Sequence, residues 1–101
     1  MDIKIVDFKE TCVAVLEHRG APGTVLNSAW RFIEWRKQRR LSPTDSRKTF
    51  GVAYDDPKTT EPAYFRFDIC GSVKADVPPN PQGVITKTIP AGRYGATFGL
   101  T

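Results

Sequence analysis

The sequence predicts an α+β domain with one helix on one face of a mostly antiparallel sheet, in the order β-α-β-β-β. Three features predict it: runs in which apolar residues are continuous or alternate, one stretch with apolar residues at helical spacing, and Gly/Pro turns between them. The chain has 101 residues, 40% hydrophobic and 26% charged, so we expect one globular domain over residues 1–101.

The first two elements are a strand and the helix. Residues 4–18 are apolar on both faces for most of their length, which is typical of a strand covered on two sides. A Gly/Pro turn at 19–23 follows, and Thr24 is placed to cap a helix that runs to about Arg40.

The remaining elements are extended. Residues 50–55 alternate as a second strand and residues 63–73 as a third, while the Pro-rich residues 77–83 exclude both helix and strand. The last extended stretch covers residues 84–89 and 93–100, with a bend between them.

The last stretch resembles the first. When Phe8 is set against Ile89, residues 8–20 match residues 89–101 in character: an apolar residue, a polar bend and then a small-residue strand. Either the match is a coincidence or the chain holds one and a half copies of a β-α-β-β unit, without the second helix and the strands after it.

The basic side chains are concentrated in one segment. The net charge is +4, and residues 31–48 hold seven basic against two acidic side chains, or +5. Such a segment attracts phosphate or an acidic protein surface, or it is a solvated helix end that complements the helix dipole. It lacks a recognition-helix pattern and interleaved aromatic residues, so we do not expect nucleic-acid binding.

Few residues have catalytic or metal-binding potential. His18 is the only histidine, and its place beside a turn is typical of a hydrogen-bonded corner residue. Cys12 and Cys70 form no CxxC pair, and we interpret both as reduced core thiols. With no GxSxG elbow or phosphate loop either, we expect no metal, no cofactor and no enzymatic activity. No apolar run is long enough to cross a membrane, so we expect a cytoplasmic protein.

Five motifs in order carry a resemblance to a known family. They are Val-Ala-Val-Leu-Glu-His-Arg-Gly-Ala-Pro at 13–22, Ala-Trp-Arg-Phe-Ile-Glu-Trp at 29–35, Phe-Gly-Val-Ala-Tyr-Asp-Asp-Pro at 50–57, Arg-Phe-Asp-Ile-Cys at 66–70 and Ile-Pro-Ala-Gly-Arg-Tyr at 89–94. Together they resemble the gyrase-inhibitor-like, or AraC-type effector-binding, domain over nearly the whole chain.

The resemblance implies two β-α-β-β repeats related by a pseudo-two-fold axis, with a ligand cleft between two helices. It also implies binding of apolar, often cationic, small molecules, as in multidrug-responsive transcription activators. Some relatives are hydrolases, but their activity depends on a half with no counterpart here; the family's second helix and pocket glutamate are missing too. Other relatives inhibit gyrase, so the alternative function is a protein-interaction module acting through residues 31–48 on DNA gyrase or another protein.

The two tryptophans of the helix are candidate ligand contacts. A helical projection places five apolar residues on one arc: Val25, Leu26, Ala29, Phe32 and Ile33. Trp30 falls at the edge of that arc and Trp35 on the polar face. A Trp on a polar face needs cover from its own domain, from a ligand or from an oligomer partner.

The two faces of the third strand differ chemically. Phe65, Phe67 and Ile69 share one face, and Tyr64, Arg66, Asp68 and Cys70 share the other. Asp68 forms either an ion pair with Arg66 or a cation site walled by aromatic side chains, including Tyr54. The candidate ligand-binding residues are therefore Trp30, Trp35, Tyr54, Tyr64, Asp68 and Tyr94, and the expected ligand is a lipophilic cation.

A single helix also predicts incomplete cover of the sheet. A helix about 10 Å wide covers only two or three strands spaced about 4.8 Å apart. The strand at 93–100 is expected to present a free edge, which proteins seldom leave unguarded. We therefore expect a homodimer whose interface includes Tyr94 and Phe98 and closes over the ligand site.

Overall fold

The computed structural model describes residues 3–38, 49–72 and 76–98. In these ranges the chain forms six strands and one α-helix: β1 (Lys4–Phe8), β2 (Thr11–Arg19), α1 (Val25–Gln38), β3 (Thr49–Ala53), β4 (Arg66–Ser72), β5 (Ile85–Ile89) and β6 (Gly92–Phe98). The strands form one sheet in the order β1-β6-β3-β4-β2-β5, and every neighbouring pair is antiparallel. The predicted α+β class is confirmed. Across these ranges no helix has the length and apolar content that a bilayer crossing requires.

The predicted first strand is in fact two strands. The chain leaves β1 after Phe8 and re-enters the sheet at Thr11, whose hydroxyl donates to the Lys9 carbonyl over 2.6 Å. β1 pairs with β6 at one edge of the sheet, whereas β2 pairs with β4 and β5 near the other edge. The prediction of one continuous strand was wrong because a local apolar pattern does not reveal which partner each half joins.

The predicted third strand begins later than expected. Pro62–Tyr64 forms one turn of 3₁₀ helix, with Pro62 at its start, where the missing N–H is no loss. β4 then runs from Arg66 with the expected alternation, and Phe67 and Ile69 pack under α1 while Asp68 and Cys70 face the other side. The turn takes Tyr64 out of the sheet and leaves its side chain 70% exposed.

The register of the sheet has two-fold symmetry. The two outer ladders match position by position: Phe8 opposite Gly92 corresponds to Ile89 opposite Thr11, and Lys4 opposite Ala96 corresponds to Ile85 opposite Val15. The two-fold rotation that relates these ladders also exchanges β3 with β4 and leaves the central Gly51·Ile69 pair in place. The sheet therefore follows the alignment of Phe8 with Ile89 that the sequence predicted.

The helix covers only one half of this symmetric sheet. α1 packs on β2 and β4 through Val25, Ala29 and Phe32, which are at most 3% exposed. The two-fold image of its place, over β1, β3 and β6, has no helix above it in the ranges that the structure describes. As predicted, α1 by itself covers only part of the sheet.

The strand nearest the chain end is not an edge strand. β6 lies between β1 and β3, so the expectation of a free edge at 93–100 was wrong, and β1 and β5 are the edges instead. An N-terminal strand returns to pair with β6, which the local sequence of β6 does not reveal. The homodimer stays a prediction; of its two interface residues, Phe98 is 58% exposed and stacks on Phe50 at 6.0 Å, and Tyr94 is half-buried.

Arg36, which the sequence placed in the basic segment, is a core residue. It is 2% exposed, donates to the Thr49 hydroxyl over 2.6 Å and lies 5.3 Å from the centre of the Phe32 ring. Its guanidinium packs on Gly71, where a Cβ atom would lie 2.8 Å from Cζ of Arg36. Glycine at this position therefore makes room for a buried cation between α1 and the sheet.

Candidate functional site

The structure separates the six predicted ligand contacts. Tyr54, Asp68 and Tyr94 lie together on the face of the sheet opposite α1. Trp30 is 66% exposed on the outside of α1, and Trp35 is buried in the core beneath it. Tyr64 lies in the 3₁₀ turn before β4 and is 70% exposed.

Trp35 was wrongly placed on an exposed helix face. It is 2% exposed, and its ring lies 5.6 Å from that of Phe32, so its own domain covers it. Leu26, predicted on the buried arc, is instead 62% exposed. α1 is rotated because Ser28 and Arg36 turn inward to buried partners, and a projection that assigns polar residues to solvent cannot anticipate that.

His18 is the corner residue that the sequence predicted. One ring nitrogen lies 2.8 Å from the Ser28 hydroxyl and the other 2.9 Å from the Ala21 carbonyl. These bonds tie the end of β2 to the start of α1. Both ring nitrogens are engaged, which explains how a histidine is accommodated at 6% exposure.

Asp68 is the centre of a polar network on the opposite face. Its carboxylate is completely buried and accepts hydrogen bonds from the Tyr54 hydroxyl at 2.7 Å, from Lys87 at 2.6 Å and from Arg19 at 3.2 Å. Glu17 completes the network, 3.2 Å from Lys87 and 2.9 Å from Arg19. We call these five residues the Asp68 cluster.

Charge within the Asp68 cluster is balanced, with two carboxylates facing two cations. Burial alone lowers the pKa of Lys87, but the hydrogen bond and charge of Asp68, with those of Glu17, outweigh it and raise the pKa. Burial and the bond to Asp68 raise the pKa of Tyr54, which keeps its hydroxyl protonated as a donor. The buried carboxylate is therefore already neutralised by the protein's own side chains.

Of the two alternatives predicted for Asp68, the ion pair with Arg66 does not form. Arg66 instead forms a bidentate ion pair with Asp55, with Nε 3.0 Å from one carboxylate oxygen and Nη2 3.0 Å from the other. The Arg66 backbone N–H also donates to this carboxylate, over 2.9 Å. This bidentate pair lowers the pKa of Asp55 through the hydrogen bond from Arg66. Arg66 is the first residue of β4 and lies beside the turn that follows β3, so it pairs with Asp55 of that turn.

Three residues of the Asp68 cluster were not predicted from the sequence: Glu17, Arg19 and Lys87. Alternation within β2 does place Glu17 on the face opposite α1, with Val13 and Val15. Lys87 lies in the Asp68 cluster because β5 pairs with β2, which places Lys87 opposite Val13. No local sequence pattern specifies that pairing.

Aromatic rings extend outward from the Asp68 cluster. Tyr54 meets Tyr94 edge to face at 6.1 Å, Tyr94 meets Phe8 at 5.9 Å, and Phe8 stacks on Phe50 at 5.8 Å. The Tyr94 hydroxyl donates to the Pro90 carbonyl over 2.8 Å. The row packs against the apolar residues of β3 and β4 on the face opposite α1.

A second feature lies on the helix side, over the half of the sheet that α1 does not cover. A cavity of about 510 Å³ opens there between the apolar residues Ile3, Ile5, Ala53 and Gly95 and a polar rim that includes Asp55, Asp56 and Lys58. Ile5 is 70% exposed at its edge. Ile3 packs closely over Gly95, where a Cβ atom would lie 2.9 Å from Ile3 Cγ2.

Most of the predicted basic segment, residues 39–48, lies outside the described residues. Within the described part, Arg31 and Lys37 are exposed and Arg36 is buried. Arg31 borders a small polar cavity of about 430 Å³ with Glu17, His18 and Arg19.

Comparisons with known proteins agree with the resemblance seen in the sequence. A family model described as a GyrI-like small molecule binding domain matches residues 1–97. The Probable transcriptional regulator YgiV of Escherichia coli strain K12 is 49% identical over 94 residues, which are 93% of this chain and 59% of that protein. The protein of the same name in Escherichia coli O157:H7 has the same identity and coverage. The chain therefore spans about three fifths of the length of the curated relatives it matches.

Proposed function

Because the chain belongs to the GyrI-like small molecule binding domain family, we propose that it binds lipophilic small molecules, with organic cations preferred, and without covalent chemistry. The observation that carries the proposal is the apolar half of the helix side of the sheet that α1 does not cover, with its cavity of about 510 Å³. A cavity of this size suits a drug-sized molecule.

α1 also carries two exposed apolar side chains one turn apart, Leu26 and Trp30. Two large apolar side chains more than 60% exposed within one turn are typical of a binding surface.

The preference for cations rests on the rim of the cavity. Two carboxylates, Asp55 and Asp56, stand there with a single lysine, Lys58. Asp55 is bound by Arg66, whereas the Asp56 carboxylate accepts only the Lys58 backbone N–H among the contacts of the described residues; the Asp56 carbonyl accepts from Thr59 and Thr60. Asp56 is thus the carboxylate available to a ligand cation, and Asp68 is not, because Lys87 and Arg19 neutralise it.

The test is a titration with a rhodamine dye followed by tryptophan fluorescence, repeated with two matched variants. We expect saturable binding in the micromolar range, about −8 kcal/mol. Ile5→Gln should weaken binding about fivefold, because the ligand loses one apolar contact worth about 1 kcal/mol. Ile85→Gln, at an exposed isoleucine of the opposite edge strand, should leave the affinity unchanged. Absence of saturation at high micromolar dye, or equal losses in both variants, would contradict the proposed site.

Charge preference is measured separately. Benzyltrimethylammonium and its neutral isostere neopentylbenzene differ by one charge at constant shape. We expect the cation to bind at least about tenfold more tightly, which is 1.4 kcal/mol, and Asp56→Asn to remove most of the difference. Equal affinities in the native protein would leave lipophilic binding in place and refute the cation preference.

A further inference from the structure

The Lys87 ammonium occupies a position with the features of a cation-binding site. It lies 2.6 Å from the fully buried Asp68 carboxylate, 3.2 Å from Glu17 and 5.2 Å from the centre of the Tyr54 ring. Two carboxylates and an aromatic face are the groups that recognise an organic ammonium ion. Here the protein's own lysine takes the place of such an ion.

We infer that Asp68, Glu17 and Tyr54 form a site for a primary ammonium ion, that Lys87 fills this site as a tethered internal ligand, and that an external alkylammonium ion enters only when Lys87 leaves. The site lies on the face opposite the cavity of the proposed function and does not depend on it. Lys87 thereby determines whether this face of the protein accepts cations.

The contacts around the Lys87 ammonium favour a primary ammonium ion over a quaternary one. Its three N–H donors match the oxygens of Asp68 and Glu17, to which a quaternary ammonium ion donates nothing. Arg19 already holds the other Asp68 oxygen at 3.2 Å, and the Tyr54 hydroxyl donates to the same oxygen as Lys87. One ammonium group therefore completes the donors around the Asp68 carboxylate.

The position of Lys87 allows it to be replaced. Among the described strands β5 lies at the edge and pairs only with β2, and the Lys87 side chain is 29% exposed, so its stem has a route to solvent. Asp68 has no such route, because its side chain is completely buried. Without the lysine charge, one negative charge in the network is uncompensated, and an external cation is the group that restores the balance.

The experiment is chemical rescue of Lys87→Ala. This variant removes three methylene groups and the ammonium, which is the size of n-propylammonium. We expect Lys87→Ala to lower the thermal unfolding midpoint and n-propylammonium to raise it again in a saturable way. Tetramethylammonium should need at least about tenfold higher concentration for the same effect, and sodium at equal ionic strength should have none. The native protein, whose site is filled, should show no specific response to the amine.

Two controls distinguish a site from a general salt effect. Lys4→Ala removes a lysine from the other edge strand and should show no rescue, and the double variant Lys87→Ala/Asp68→Asn should lose it. If Lys87→Ala is unfolded without amine, recovery of the native circular dichroism by n-propylammonium but not by tetramethylammonium is the same measurement. An unchanged midpoint in Lys87→Ala, or equal effects of the two amines, would overturn the inference.

Discussion

Replacing Gly71 by alanine tests the buried arginine beneath α1. The new Cβ atom would lie 2.8 Å from Cζ and 3.0 Å from Nε of Arg36, with one terminal guanidinium nitrogen closer still. Ordinary contacts of a Cβ atom begin at about 3.4 Å, so the guanidinium has to move by more than half an ångström. It is 2% exposed and bonded to Thr49 at 2.6 Å, so it has little room to move without loss.

The expected cost has two parts. Overpacking of a filled core costs about 1–3 kcal/mol, and weakening a hydrogen bond from a charged donor costs about 1.5–3 kcal/mol. Because both arise from one displacement, we expect a total of about 3 kcal/mol. For a domain of this length that lowers the thermal midpoint by roughly 10–20 °C.

The assay is thermal and urea unfolding of four proteins: native, Gly71→Ala, Arg36→Met and the double variant. The two substitutions should couple, with Gly71→Ala costing at least about 1 kcal/mol less when Arg36 is already methionine, because the group that obstructs the Cβ atom is gone. A midpoint of Gly71→Ala within about 4 °C of native, or equal costs in both backgrounds, would refute the packing argument.

The remaining predictions concern the tryptophans, the cysteines and one tyrosine. In urea unfolding, Trp35→Ala should lower the free energy of unfolding by about 3–5 kcal/mol. Trp30→Ala, at a position 66% exposed, should change it by no more than about 0.5 kcal/mol. Similar losses in the two variants would contradict the assigned rotation of α1. Cys12 is exposed, so its predicted place in the core was wrong, whereas Cys70 is buried as predicted. Ellman's reagent should therefore modify Cys12 rapidly in the native protein and both thiols after denaturation, because burial and the nearby Asp68 charge raise the pKa of the Cys70 thiol; two fast thiols would be the contrary result. Burial and the hydrogen bond to Asp68 raise the pKa of Tyr54 above the unperturbed 10.0. Tyr54 of the unfolded chain therefore ionises at a lower pH than Tyr54 of the folded protein, and the free energy of unfolding should fall as the pH rises above 10.0. A Tyr54→Phe variant with the same alkaline loss of stability would show that this tyrosine is not the cause.

Periodicity within single elements predicted several features correctly. The alternation of Phe67, Asp68 and Ile69 assigned each side chain to the face it occupies. The turn before Thr24 located the start of α1 at Val25, but the predicted capping by Thr24 was wrong, because Thr24 ends a 3₁₀ turn and its hydroxyl donates to the Ala21 carbonyl. These features depend on backbone geometry repeated over a few residues, which a local sequence specifies.

The predictions that were wrong concerned the rotation of α1 about its own axis and the partners of charged side chains. The apolar arc of the helix was centred too near Leu26 because Arg36 was assigned to solvent, and only the opposing Gly71 and Thr49 make its burial possible. The ion pair expected between Arg66 and Asp68 failed because each found a partner outside its own strand. Such partners are distant along the chain, so no pattern in one segment contains them.

The sequence by itself determined the α+β class, the family, the faces of the strands and the correspondence between the two ends of the chain, since each is written in local periodicity or in ordered motifs. Only the tertiary structure decided that Lys87 neutralises Asp68, that Arg36 is buried and that α1 covers only half of the helix side of the sheet. The physical reason is that burial and charge balance depend on cross-strand neighbours. The pairings β5·β2 and β1·β6 that supply those neighbours are settled by the packing of the whole sheet.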